Sequence, residues 1–133
     1  MLELKVVLLI DDDFTTNYLH KKIISKLEID VPIEVAENGK EGIEKLLALN
    51  ETLNDTDDLV LIFLDINMPV MDGWEFLETL KGIKSMLSYT VNLFVVSSSI
   101  NPDDIVRATR EAQVLDYLSK PLTLAKLAKL NYT

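Results

Sequence analysis

Residues 59–73 read LVLIFLDINMPVMDG: six apolar side chains in a row, Leu59 to Leu64, and then a carboxylate, Asp65. An uninterrupted apolar run of this length predicts a strand buried on both faces. Strands of that kind belong to parallel sheets, where ligand sites lie outside the carboxyl ends of the strands. Asp65 is therefore placed where chemistry is expected. Met68-Pro69 and Asp72-Gly73 follow at once and supply the turn into a helix.

Three more apolar runs end in functional groups. Val6–Ile10 runs into Asp11, Asp12 and Asp13, Leu93–Val96 into Ser97, Ser98 and Ser99, and Val114–Leu118 into Ser119-Lys120-Pro121. Between the strands the apolar period lengthens to that of helices. Strand one is expected at Lys5–Ile10, and helix one at about Thr15–Leu27 with Leu19, Ile23 and Leu27 inward. Strand two is Pro32–Ala36, with Ile33 and Val35 on one face. Helix two is about Lys40–Asn50, with Ile43, Leu46 and Leu47 inward, and residues 51–58 form a polar loop before strand three, Leu59–Leu64. Helix three runs from about Gly73 to Leu87 through Phe76, Leu80 and Ile83, with Gly82 weakening its second half. Strand four is Val91–Val96. Helix four has Asn101 as cap and Pro102 in its first turn, with Ile105, Ala108 and Ala112 as its narrow apolar face. Strand five is Val114–Leu118, and helix five runs from Thr123 to about Leu130 with Leu124, Leu127 and Leu130 inward.

Alternating units of this kind predict an α/β fold: a doubly wound, five-stranded parallel sheet with helices on both faces. For this size the flavodoxin-like strand order 2-1-3-4-5 is expected. Strands one and three would then be neighbours, and the acids after strand one would approach Asp65.

The bulk numbers bound the function. A chain of 133 residues is expected to form one domain, 1–133, with one core. The absence of cysteine excludes disulfides and thiolate metal sites and fits a cytoplasmic location. No apolar stretch approaches the ~20 residues of a membrane span. A net charge of −9 argues against direct contact with nucleic acid. Histidine 20, the only one, sits beside Lys21 and Lys22 and is expected at the surface. Trp74 and Phe76 are expected to be packing residues.

Clustered carboxylates repel by roughly 4 kcal/mol per pair at 4 Å and an effective dielectric near 20, so a pKa rises or a cation binds. Oxygen-only ligands select a hard cation, Mg²⁺ in the usual case. A carboxylate nucleophile, Mg²⁺, the Lys120 ammonium and the Ser97 hydroxyl together suit phosphoryl transfer.

The pieces LLIDDDFTTN (8–17), LIFLDINMPVMDG (61–73), VVSSS (95–99) and DYLSKP (116–121) agree in order and spacing with a known pattern. The chain resembles a receiver domain of two-component response regulators over residues 4 to about 130. The resemblance implies that Asp65 is the phosphoacceptor. It implies that Asp12 is a direct Mg²⁺ ligand, that Asp11 acts largely through water, and that the Asn67 backbone carbonyl is a third ligand. Ser97 would be the switch hydroxyl that meets the phosphoryl group, and Tyr117 the switch aromatic that turns inward as Ser97 moves. Lys120 would pair with the phosphoryl group, placed by a cis peptide to Pro121. The donor would be the phosphohistidine of a sensor kinase or a phosphotransfer protein. The helix 4–strand 5–helix 5 face would then control a downstream target. Because the sequence ends about twelve residues after Lys120, a stand-alone receiver is expected, and Ser99 implies an intermediate to slow loss of phosphate.

Two other readings stay open at this point. Asp11-Asp12-Asp13-Phe14-Thr15 also fits DxDxT, the nucleophile loop of haloacid-dehalogenase-like phosphatases, with Asp11 as nucleophile and Asp13 as general acid. Against it, the chain is short and Asp65 would have no role. In the receiver reading Asp13 either points into the site or caps helix one, and the cap is favoured. The third reading is a pseudo-receiver that binds partners without phosphorylation, although no site residue is missing.

Overall fold

The computed structural model describes residues 1–133. Five strands, β1 (Glu3–Ile10), β2 (Ile33–Ala36), β3 (Asp58–Leu64), β4 (Thr90–Ser97) and β5 (Val114–Ser119), form one parallel sheet in the order β2-β1-β3-β4-β5. The helices between them are α1 (Phe14–Ser25), α2 (Gly39–Ala48), α3 (Gly73–Ile83), α4 (Pro102–Arg110) and α5 (Leu124–Ala128). The expected fold class and strand order are both present.

Alternation along the central strands divides the core in two. Val6, Leu8 and Ile10 of β1 and Val60, Ile62 and Leu64 of β3 face one layer, with Ile43 and Leu46 of α2, Phe76, Leu77 and Leu80 of α3, and Ala108 of α4. Val7, Leu9, Leu61 and Phe63 face the other, with Ile24 of α1 and Leu127 of α5. Each buried large apolar side chain contributes about 1.5–3 kcal/mol, so the β1–β3 register is strongly held. That register pairs Ile10 with Leu64, and on the outer side of each strand Ile10 also pairs with Ala36 and Leu64 with Val95. The residues following Ile10 and Leu64 are Asp11 and Asp65, which brings the two acids to the same edge. The Tyr89 hydroxyl, whose pKa burial pushes up, donates to the Leu46 carbonyl and ties β4 to α2.

Four expectations about packing are corrected. Helix α1 buries Asn17, His20 and Ile24, one residue off the expected stripe; Leu19 is 49% exposed, while Ile23 and Leu27 pack half-buried on the second layer. Helix α3 ends at Ile83, next to Gly82, and 84–86 form a 3-10 turn that leaves Leu87 half-buried. Helix α4 stops at Arg110, so Ala112 falls outside it and is exposed. The Gln113 side chain instead donates to the Leu77 carbonyl at 2.9 Å. Helix α5 is only five residues long, and Leu124 is 41% exposed. Leu122, just before the Thr123 cap, takes the inward place together with Leu127. Those two positions are the ones a hydrophobic staple uses.

A candidate phosphoryl-transfer site at the strand ends

Each functional side chain is positioned by the last residue of a strand or the first turn beyond it. The Asp65 backbone N–H donates to the Ile10 carbonyl at 2.8 Å, and the Asp11 N–H to the Ala36 carbonyl at 3.1 Å. Both aspartates are therefore seated by continuation of the ladder. The Lys120 N–H donates to the Ser97 carbonyl at 3.0 Å, which extends the β4–β5 pairing of Ser97 with Ser119 to the lysine. The following Lys120–Pro121 peptide is cis, as the resemblance implies.

Three carboxylates converge. Ligand oxygens of Asp11, Asp12 and Asp65 lie within 4.8 Å of one another. Asp11 and Asp65 are buried, while Asp12 is open to solvent. The Lys120 ammonium reaches into the cluster, 2.6 Å from Asp11 Oδ2 and 3.4 Å from Asp65 Oδ1. Burial and the Asp11 charge push the Asp65 carboxyl up to about 6, against the opposing pull of Lys120 and the Asn67 N–H. Lys120 itself is lowered by burial but raised on balance by its hydrogen bond to Asp11 and by the Asp65 and Asp11 charges, so it stays an ammonium. A cluster with crowded negative charge and only oxygen donors fits a hard divalent cation. Receiver domains bind Mg²⁺ at such a cluster.

Asp65 therefore weakens the metal-free fold at neutral pH. Its folded pKa of about 6 lies above the ordinary 3.8, so the folded state holds the extra proton between those values. The penalty is absent below about pH 4, grows as pH rises to about 6 and is complete above it. In chelator-containing buffer, Asp65→Asn is expected to raise Tm by roughly 5 °C at pH 7 and by much less at pH 4. Melting curves at the two pH values check this; an equal gain at both would contradict it.

The turn after Asp65 is tight. The Gly73 N–H donates to the Ile66 carbonyl at 2.8 Å, and Gly73 starts α3 under a capping box made by Asp72 and Glu75. A Cβ on Gly73 would stand 2.6 Å from the Asp65 carbonyl oxygen and 2.7 Å from Ile66 Cα. Asn67 sits exposed at the start of this turn, beside the acids.

The remaining residues singled out in the sequence fall as follows. Ser97 is fully buried at the end of β4, and its Oγ accepts the Ser99 N–H at 3.1 Å. The Tyr117 hydroxyl, half-buried over the first layer, donates to the Ser99 carbonyl at 2.8 Å. Ser99 thus has one peptide group bonded to each of the two. Its hydroxyl donates to Asp104 at 2.7 Å, turned toward the start of α4. Asp13 is fully exposed and caps α1: its carboxylate accepts from the Thr16 N–H at 3.1 Å and from the Thr16 hydroxyl, and these bonds hold it below the usual range. Asp13 is engaged as a cap and is not among the clustered acids, which takes support from the phosphatase reading. Trp74 is half-buried, with the Arg107 guanidinium 4.2 Å above its ring.

Sequence reasoning missed two residues and misplaced one of them. Asn17 donates its side-chain N–H to the Asp11 carbonyl at 2.8 Å. His20 is buried, not at the surface as expected, and its Nε2 accepts the Leu122 N–H at 3.3 Å. The two lysines that follow it, Lys21 and Lys22, suggested exposure; both are exposed, but the helix turns His20 itself inward. The available signal was the 3-4 spacing of Asn17, His20 and Ile24, which is a helical stripe that happens to be polar at one end.

Comparison with known proteins agrees with the geometry. The family model for the response regulator receiver domain matches residues 7–131. The transcriptional regulatory protein HprR of Escherichia coli is 32% identical over 91% of this chain, which spans 47% of HprR. The two-component response regulator 24 of Arabidopsis thaliana is 30% identical over 94% of this chain, which spans 83% of it. Hybrid signal transduction histidine kinase G of Dictyostelium discoideum is 32% identical, but the chain spans only 3% of that protein. Among solved structures, a two-component response regulator from Cytophaga hutchinsonii superposes with a TM-score of 0.75 at 32% identity, covering 93% of this chain and 91% of that one. Vibrio cholerae chemotaxis protein CheY4, at 22% identity and a TM-score of 0.69 over 96% of this chain and 95% of its own, shares the fold. By the family match over nearly its whole length, this chain belongs to the response regulator receiver domains of two-component signalling.

Proposed function

We propose that Asp65 accepts a phosphoryl group from a partner phosphohistidine and that the chain works as a single receiver domain, 1–133, in the cytoplasm. The observation that carries this reading is the Lys120 ammonium lodged between Asp11 and Asp65, at 2.6 and 3.4 Å. It neutralises charge where a phosphoryl group would bring more. An Asp65 oxygen attacks phosphorus in line, the donor's N–P bond breaks, and the imidazole leaves with its electron pair and takes up a proton. Mg²⁺, held by Asp12, Asp65, the Asn67 carbonyl and Asp11 largely through water, would neutralise the phosphoryl oxygens.

The phosphoryl group carries about −1.5 to −2 charge and biases two states of the domain. Ser97 turns its Oγ toward it and releases the Ser99 N–H. Because Tyr117 is bonded to the Ser99 carbonyl, the same residue links the hydroxyl to the aromatic through its two flanking peptides. The α4–β5–α5 face then presents a different surface to a downstream target. The upstream partner would be a sensor histidine kinase or a phosphotransfer protein. The Ser99 hydroxyl donates to Asp104 and is not free to hold an attacking water, which supports an intermediate to slow loss of phosphate.

Intact-mass analysis after incubation with a small acyl phosphate tests the reading. One added phosphoryl group is expected, requiring both Mg²⁺ and Asp65 and absent in Asp65→Asn. A folded wild type that binds Mg²⁺ and gains no mass would leave a receiver restricted to its kinase or the pseudo-receiver. Repeated turnover of a generic phosphomonoester would restore the phosphatase.

A further inference from the structure

The mechanism above leaves the one histidine idle, yet His20 is only 4% exposed. A buried imidazole needs a partner for its polar atoms. The partner of Nε2 is the Leu122 backbone N–H, 3.3 Å away. Pro121 has no N–H to give, so Leu122 carries the first backbone donor beyond Lys120. On the other side, the Lys120 N–H is bonded to the Ser97 carbonyl at 3.0 Å. The segment bearing the lysine is thus tied to the sheet through Ser97 and to α1 through His20. Lys126 reinforces it, with Nζ donating to the Ser119 and Pro121 carbonyls at 2.8 and 3.0 Å.

One turn earlier on the same buried stripe, Asn17 holds the Asp11 carbonyl. Helix α1 therefore grips both the strand end that carries Asp11 and the loop that carries Lys120, whose charges meet at 2.6 Å. Burial holds the imidazole below its ordinary range despite the opposing Asp11 charge, and a neutral ring with its proton on Nδ1 leaves the Nε2 lone pair free to accept.

We propose that His20 is a positioning residue for phosphoryl transfer: by accepting the Leu122 N–H it fixes the loop that aims the Lys120 ammonium at Asp65. The inference rests on the receiver reading. His20 touches no reacting group and acts through the lysine alone.

The test is a double-mutant cycle on the rate of Asp65 phosphorylation by a small acyl phosphate. His20→Met removes the acceptor and is expected to slow the reaction about 10-fold, because a slightly misplaced charge forfeits much of its effect. His20→Gln can place an acceptor near the same point and should stay within about 3-fold of wild type. In a Lys120→Met background, His20→Met should change the rate by less than about 2-fold, since the two act as a unit. An undiminished loss in that background, an absent loss in the single variant, or a Gln variant as slow as Met would each overturn the proposal. Should His20→Met unfold, His20→Phe serves as the acceptor-free variant. A readout independent of phosphorylation is the Lys120 ammonium resonance in ¹⁵N NMR. It is expected in wild type and His20→Gln and should broaden away in His20→Met. Its persistence in His20→Met overturns the positioning role whatever the rates show, whereas a wild type that takes no phosphoryl group overturns the receiver reading.

Discussion

Lys120→Met is expected to slow phosphorylation of Asp65 by about 10²–10³-fold, the usual loss when one charge-stabilising donor is removed from a site of this kind. Methionine keeps the aliphatic stem and discards the charge. In the wild type the ammonium is 17% exposed and contacts two carboxylates that are about equally buried, so little solvent screens it. Removing it leaves Asp11 and Asp65 facing each other without a cation. In the metal-free protein the Asp65 carboxyl, already raised to about 6, should rise further. Two measurements check this: the single-turnover rate with acyl phosphate and Mg²⁺, and the Asp65 carboxyl titration followed by ¹³C NMR. An unchanged rate would show that the ammonium is a structural counter-ion only. The metal-free variant should also melt lower and gain more from Mg²⁺ than wild type, because the cation then neutralises charge that no side chain does.

Gly73→Ala is the substitution with the largest expected effect on stability near the site, a loss of about 2–4 kcal/mol. The added methyl would meet the Asp65 carbonyl oxygen at 2.6 Å and Ile66 Cα at 2.7 Å. Both are backbone atoms just beyond the end of β3, so no flexible side chain can move aside. Relief must come from displacing α3 or the end of β3, and either shifts Asp65. Gly82 on the same helix is the control: nothing lies within 4 Å of a Cβ there, and Gly82→Ala should be neutral or gain about 0.5–1 kcal/mol from helix propensity. Urea unfolding of the two variants separates close approach from propensity. Equal effects at both glycines would remove the packing explanation.

Much of this protein was legible in the sequence because the deciding information is local. An apolar run of six residues, too short for a helix and closed by turn residues, reads as a buried strand, and a chain of strands and helices alternating in this way leaves few topologies. Asp65, Asp11, Asp12, Ser97 and Lys120 were readable as site candidates because each sits where an apolar run breaks off, and every parallel strand presents that end on the same edge of the sheet. Helix caps at Asp13 and Asn101 follow equally from neighbours three residues away or fewer.

What only the tertiary structure decided concerns partners far apart in the chain. The buried face of α1 was misread because an inward stripe was assumed to be apolar throughout. Where that helix passes the strand ends it meets backbone groups that need hydrogen bonds, and Asn17 and His20 supply them. His20 finds its partner 102 residues away, beyond the reach of any periodicity. Gln113 taking a carbonyl of α3, and Leu122 filling the place assigned to Leu124, are of the same kind. Period and composition report which side chains avoid water; they carry no record of which buried polar atom on one element must satisfy which peptide group on another.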